Sequence, residues 1–165
     1  NMVLWMLIYL TLAVMYDWRD FQIPNRLNVW GAVITAGICV QKGLEASAMA
    51  AGVLIPFVCC IGLFRLGMLG GGDIKVLMVC GIPLGTYVTR LLILSFLWNG
   101  VIAVCILWKR RSFCLRFTYL RQYISACLRD RQIDSYRNPD DGSKYLHFTY
   151  GIFLAYCTMF TGGLL

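Results

Sequence analysis

The sequence predicts an all-α, polytopic membrane protein of about six transmembrane helices, with the N-terminus outside and an amphipathic helix on the cytoplasmic side. Three observations carry that class. Of 165 residues, 59% are hydrophobic and 14% charged, against about 25% charged in an average soluble domain. Six apolar runs divide the chain, and the basic residues gather in alternate linkers. With no internal repeat and no Ser- or Pro-rich linker, a single membrane-embedded domain over residues 1–165 is expected, its cytoplasmic linker at 109–144.

The apolar runs are 2–16, 27–40, 46–64, 76–88, 91–108 and 145–164. The first contains no Lys or Arg, so it lacks the basic n-region of a cleavable signal and is expected to be retained as a helix. The first, second and fourth fall short of the roughly 17 to 25 residues of a span, so flanking residues must complete them. The fourth holds Gly81, Pro83 and Gly85. It predicts a half-length helix over 73–82 followed by irregular backbone, tolerated in a bilayer only under cover of protein or a water-filled cavity.

The linkers set the orientation, because Lys and Arg accumulate in short cytoplasmic loops. Arg19 and Arg26 lie in the first, Arg65 and Lys75 in the third, and nine basic residues in the fifth; the second and fourth hold only Lys42 and Arg90. Linkers one, three and five are therefore expected in the cytoplasm. In the fifth, Phe113, Phe117, Leu120, Ile124 and Leu128 recur at helical spacing beside Arg116, Arg121, Arg129 and Arg131. That pattern predicts a basic amphipathic helix, either lying on the anionic leaflet or docked under the bundle. Residues 137–144 read as the turn into the last span.

Two carboxylates stand at helix ends on the expected cytoplasmic side. Asp17 closes the first run, and Asp73 opens the fourth after Gly70, Gly71 and Gly72. Ionisable groups at membrane depth are costly and usually functional. Glycines before Asp73 permit a sharp turn and let a substrate strand lie against the main chain. The plain structural alternatives are that Asp73 caps its own helix, and that Asp17 pairs with Arg19 or stays hydrated at the interface. Asp20 has the same ambiguity and lies further into the linker. Pro24 and Asn25 suit the start of the second helix, Asn25 as its cap.

Eight cysteines, at 39, 59, 60, 80, 105, 114, 127 and 157, form no C-x-x-C pair, so neither a disulfide framework nor a metal site is expected. An aspartyl dyad is the chemistry these parts permit. Two close carboxylates share one proton; the ionised member can take a proton from water while the other donates to a peptide carbonyl, and no cofactor is needed. Lys75 is read as an interfacial anchor, because side chains two apart on a helix do not face each other. His147 is read as an interfacial or core hydrogen-bonding group, and Trp18, Trp30, Trp98 and Trp108 as interface anchors or packing.

The stretch Asp17 to Asn25, in which "IPN" begins six residues after the Asp, and "GGGDIK" over 70–75 together resemble the type IV prepilin peptidase family. More loosely they are similar to archaeal preflagellin peptidases and the wider GxGD intramembrane aspartyl proteases. The stretches "GIPLG" after Asp73 and "HFTYGIFLA" from His147 add a coarser likeness. The resemblance implies that Asp17 and Asp73 are the catalytic pair and that Gly70, Gly71, Gly72, Pro24, Asn25 and Lys75 shape the site or bind substrate. It further implies that the substrate is a prepilin-like membrane protein cut at its short basic leader on the cytoplasmic face of a bacterial inner membrane.

Larger family members insert a cytoplasmic domain with cysteine pairs after the first helix and also methylate the new N-terminus. Here the segment from Asp17 to Arg26 is ten residues long and holds no cysteine. The chain thus resembles the small, peptidase-only subfamily that serves tight-adherence pili, without methyltransferase activity. The expected partners are the substrate and the lipid bilayer, with no nucleic acid; Asp20, Asp130, Asp134, Asp140 and Asp141 are candidates to attract a basic leader. A rival reading is a small transporter with Asp17 and Asp73 as proton or cation ligands and the interrupted fourth segment as a broken helix. A third is a noncatalytic membrane assembly factor.

Overall fold

The structure is a computed structural model that describes residues 2–20, 22–109 and 147–163. The amphipathic helix and turn expected within 109–144 fall almost wholly outside the described residues. Among the described residues six α-helices follow in order: α1 (Met2–Asp20), α2 (Asn25–Gln41), α3 (Ala46–Arg65), α4 (Gly71–Leu84), α5 (Val88–Lys109) and α6 (Phe148–Thr161). A single 3-10 turn, Gly85–Tyr87, joins α4 to α5. Among the described residues, α1, α3 and the apolar stretch Gly71–Ile106 are long and apolar enough to cross a membrane, and α6 is a shorter apolar helix. At 1.5 Å per residue α3 reaches about 30 Å, the thickness of a hydrocarbon core.

The helix faces sort by size and polarity rather than by hydrophobicity, as they must where the surroundings are as apolar as the core. Facing outward are Leu4, Leu12, Val33, Leu54, Val58 and Leu97, all well exposed. The inward stripes carry small or polar residues: Asn28, Gly31, Thr35 and Cys39 on α2, and Gly52, Pro56 and Cys60 on α3. Helix α4 is the exception, buried from Ile74 through Leu84 on most of its surface, and it forms the centre of the bundle. Its most extensive packing is against α3.

That packing brings backbone against backbone. A Cβ added at Gly52 would strike the carbonyl oxygen of Gly81, and one at Gly81 would strike that of Gly52. Small residues of this kind let membrane helices approach closely enough for dispersion to hold them. Polar side chains bond across the other seams. Trp5 Nε1 donates to Thr35 Oγ1 at 3.0 Å and the Tyr9 hydroxyl to Asn28 Oδ1 at 2.7 Å, joining α1 to α2. Asn99 Nδ2 of α5 donates to the Phe148 carbonyl at 3.1 Å, at the head of α6.

The fourth apolar run departs from its expected form. Instead of a helix over 73–82 and a stretch of irregular backbone, α4 is regular to Leu84 and α5 begins at Val88. Gly85, at φ 56° and ψ −131°, makes the difference. A residue without Cβ takes that conformation freely, so the chain turns within three residues, while Pro83 in the last turn of α4 lacks the N–H that would bond the Val79 carbonyl.

Gly52→Ala is expected to lower stability by about 1 to 3 kcal/mol through overpacking at the α3–α4 contact, read as a drop in Tm of the detergent-solubilised protein. Gly62→Ala, with open space around its Cβ position, is the control expected to leave Tm unchanged.

Candidate active site

Helix α1 turns one stripe inward, Met6, Tyr9, Leu10, Ala13 and Asp17. The spacing i, i+3, i+4, i+7, i+11 keeps that stripe on one face, so Asp17 is carried inside with the apolar residues. It is 8% exposed. Its neighbours Trp18, Arg19 and Asp20 are all exposed. Arg19 does not pair with Asp17: its Nε lies 3.9 Å from Asp20 Oδ1, at the surface. The contact of Asp17 is with His147, whose Nδ1 stands 3.2 Å from Asp17 Oδ2.

Asp73 lies in the first turn of α4, but it is not the N-cap. Gly70 takes that position, with φ −75° and ψ 143°, and Asp73 stands three residues on. From there its carboxylate reaches back to the Gly70 backbone N–H, as the acid of a capping box does. It also accepts a hydrogen bond from Thr149 Oγ1 at 2.8 Å, across 76 positions of sequence. The capping role is therefore real and shared with a tie to α6. The three glycines before the acid have ordinary negative φ, since the positive values among the described glycines belong to Gly43, Gly67, Gly85 and Gly163. Their use is close approach: a Cβ at Gly70 would come within 2.9 Å of Asp73 Oδ2, and one at Gly72 within 3.4 Å of Ile23.

Between these two helix ends opens a cavity of about 630 Å³. One wall consists of Tyr16, Asp17, Asp20 and the segment from Gln22 to Asn25, the other of Gly70 to Asp73. Of the residues singled out in the sequence, Asp17, Asp73, Pro24, Asn25 and the three glycines thus line a single space. Lys75 stands outside the lining and ties the walls together, its Nζ donating to Asn25 Oδ1 at 2.6 Å in an exposed position. Asn25 is therefore not the cap of α2: Pro24 holds that position, with no side-chain cap bond, and the Asn25 amide is turned to Lys75 instead.

Asp17, Asp73 and His147 lie within electrostatic reach of one another. Two carboxylates on one cavity can serve as one acid and one base toward a group held there. Among the described residues, no group of three or more His, Cys, Asp or Glu is placed to hold a metal ion. Thr149 is not singled out by the sequence, which offers His147 as an interfacial or core hydrogen-bonding group without naming its partner. Their signal was slight: a lone histidine and a threonine two residues on, opening the last apolar run.

The comparisons with known proteins bear on this geometry. A family model, the type IV leader peptidase family, matches residues 4–108, a stretch that holds both aspartates with their flanking motifs and runs nearly to the end of α5. No curated protein and no solved structure matches the chain. Since the matched stretch covers well over half of the 165 residues, the chain belongs to the type IV leader peptidase family.

Proposed function

We propose that this protein is an aspartic-type endopeptidase that removes the leader from prepilin-like membrane substrates, with Asp17 and Asp73 as its catalytic pair. One observation carries the reading: acids 56 positions apart, at the end of α1 and the start of α4, line the same cavity. Family membership supplies the reaction class and favours the peptidase over the transporter alternative.

In this reading a water lies between the two carboxylates. The ionised one accepts a proton from the water as its oxygen attacks the scissile carbonyl, and the protonated one donates to the carbonyl oxygen. As the tetrahedral intermediate collapses and the C–N bond breaks, the carboxyl that took the proton of water gives it to the departing amine, and the other regains its proton from a hydroxyl of the gem-diol. No metal or cofactor takes part.

The distribution of Lys and Arg favours a site on the cytoplasmic face of a bacterial inner membrane. A substrate helix in the bilayer would then present its leader end at the depth of the cavity. Exposed Asp20, on the lining, offers a basic leader a carboxylate. The connection between α1 and α2, residues 21–24, has no room for a further domain, so the proposed activity is proteolysis without methyl transfer.

Co-expression with a prepilin, followed by gel shift of the processed product, tests the assignment. Asp17→Asn and Asp73→Asn are each expected to slow processing by roughly 100- to 10,000-fold, the usual contribution of a general acid or base, while Asp20→Asn keeps most of it. Continued cleavage by Asp73→Asn would remove the enzyme claim. Gly70→Ala is expected to push the Asp73 carboxylate off its bonds to the Gly70 N–H and Thr149, because the added Cβ would come within 2.9 Å of Oδ2. Misplacement of this kind can lower kcat by about 10- to 100-fold, measured by initial rates beside thermal unfolding.

A further inference from the structure

The family match ends at residue 108, yet each aspartate meets a side chain from well beyond it. Both side chains come from one place, the start of α6. His147 is the N-cap residue, with φ −72° and ψ 96°, and sits against Asp17. Thr149, in the first turn, is wholly buried and donates its hydroxyl to Asp73 Oδ1.

The start of α6 is itself held firmly. Asn99 Nδ2 donates to the Phe148 carbonyl, and the Phe96 and Phe148 rings meet edge to face at 5.1 Å between centroids. Gly151, one turn on, has no room for a Cβ because the Asn99 amide occupies that space. The His147 ring also packs edge to face on Tyr150, 5.6 Å between centroids. A carboxylate at a helix end can otherwise turn about its own side-chain bonds. An acid–base pair must keep its oxygens within a fraction of an ångström of the productive arrangement.

We propose that the first turn of α6 is the positioning element of the catalytic pair, Thr149 orienting Asp73 and His147 orienting Asp17. The inference rests on the reading of those two acids as catalytic. Thr149 and His147 act through the aspartates and are positioning residues, and α5 braces the turn that carries them.

The test uses the full chain in detergent, with kcat, KM and Tm measured on a prepilin-derived substrate. Thr149→Val keeps the shape and removes the donor. It is expected to lower kcat by roughly 10- to 100-fold, the equivalent of one hydrogen bond to a charged group, with KM nearly unchanged, since only a transition-state contribution is lost. Thr149→Ser restores the hydroxyl and most of kcat. His147→Ala lowers kcat likewise, and His147→Asn, whose amide nitrogen reaches the place of Nδ1, recovers a large part.

Wild-type kcat in Thr149→Val and His147→Ala, alongside inactive Asp17→Asn and Asp73→Asn, would overturn the inference and leave the peptidase reading intact. Activity in either Asn variant overturns that reading instead. Should Thr149→Val unfold, the His147 pair decides: loss in Ala with recovery in Asn upholds the positioning role, and equal kcat in both overturns it. A Thr149→Ser protein that regains Tm but not kcat would reduce Thr149 to a packing residue and overturn its part.

Discussion

Lipid gives a polar side chain nothing to bond with, so every such group in the bundle must find its partner on another helix or on its own backbone. That constraint organises the described structure. It accounts for the Trp5–Thr35 and Tyr9–Asn28 bonds between α1 and α2 and for Asn99 reaching the head of α6. Ser95, without a partner on another helix, donates to the Leu91 carbonyl within α5. Applied to the two acids, it explains why neither stands alone: Asp73 is held by Gly70 and Thr149, and Asp17 lies beside His147.

The depth of Asp73 follows from packing elsewhere. With Gly52 and Gly81 pressed together, α3 and α4 have one register in which their backbones fit, and that register fixes where α4 begins. The turn at Gly85 then reverses the chain, so that Asn99 midway along α5 and Asp73 at the start of α4 both meet the first turn of α6. A contact near the middle of the bundle and a tight turn beyond it therefore govern the geometry of the cavity. Each is made possible by the lack of a side chain.

Much of this was legible in the sequence. The apolar runs located the six described helices, and the two Asp motifs pointed to every cavity residue on the α4 side and to Asp17, Pro24 and Asn25 on the α1 side. What stayed hidden has physical causes. Which face of a helix turns inward is poorly marked when Leu4, Leu12 and Leu97 point outward as freely as Leu10, Leu77 and Leu91 point inward; only small and polar residues distinguish the two. Asn25 has a side chain suited to capping, yet it bonds Lys75 on another helix, and Asp73 divides its carboxylate between the Gly70 N–H of its own helix and Thr149 of α6. The coarse likeness of "HFTYGIFLA" marks α6, but nothing local to His147 or Thr149 tells that their side chains meet residues 130 and 76 positions away.

Along Gly70 to Gly72 the cavity wall offers backbone alone, up to the Asp73 carboxylate that ends it. Anything that passes along it is met by peptide groups, which every polypeptide can match and which carry no information about residue identity. On the proposed peptidase reading, discrimination between one substrate and another would fall to the opposite wall, where Tyr16, Asp20 and Gln22 stand exposed on the lining. Changes there would retune preference while the acids and their supports stay in place.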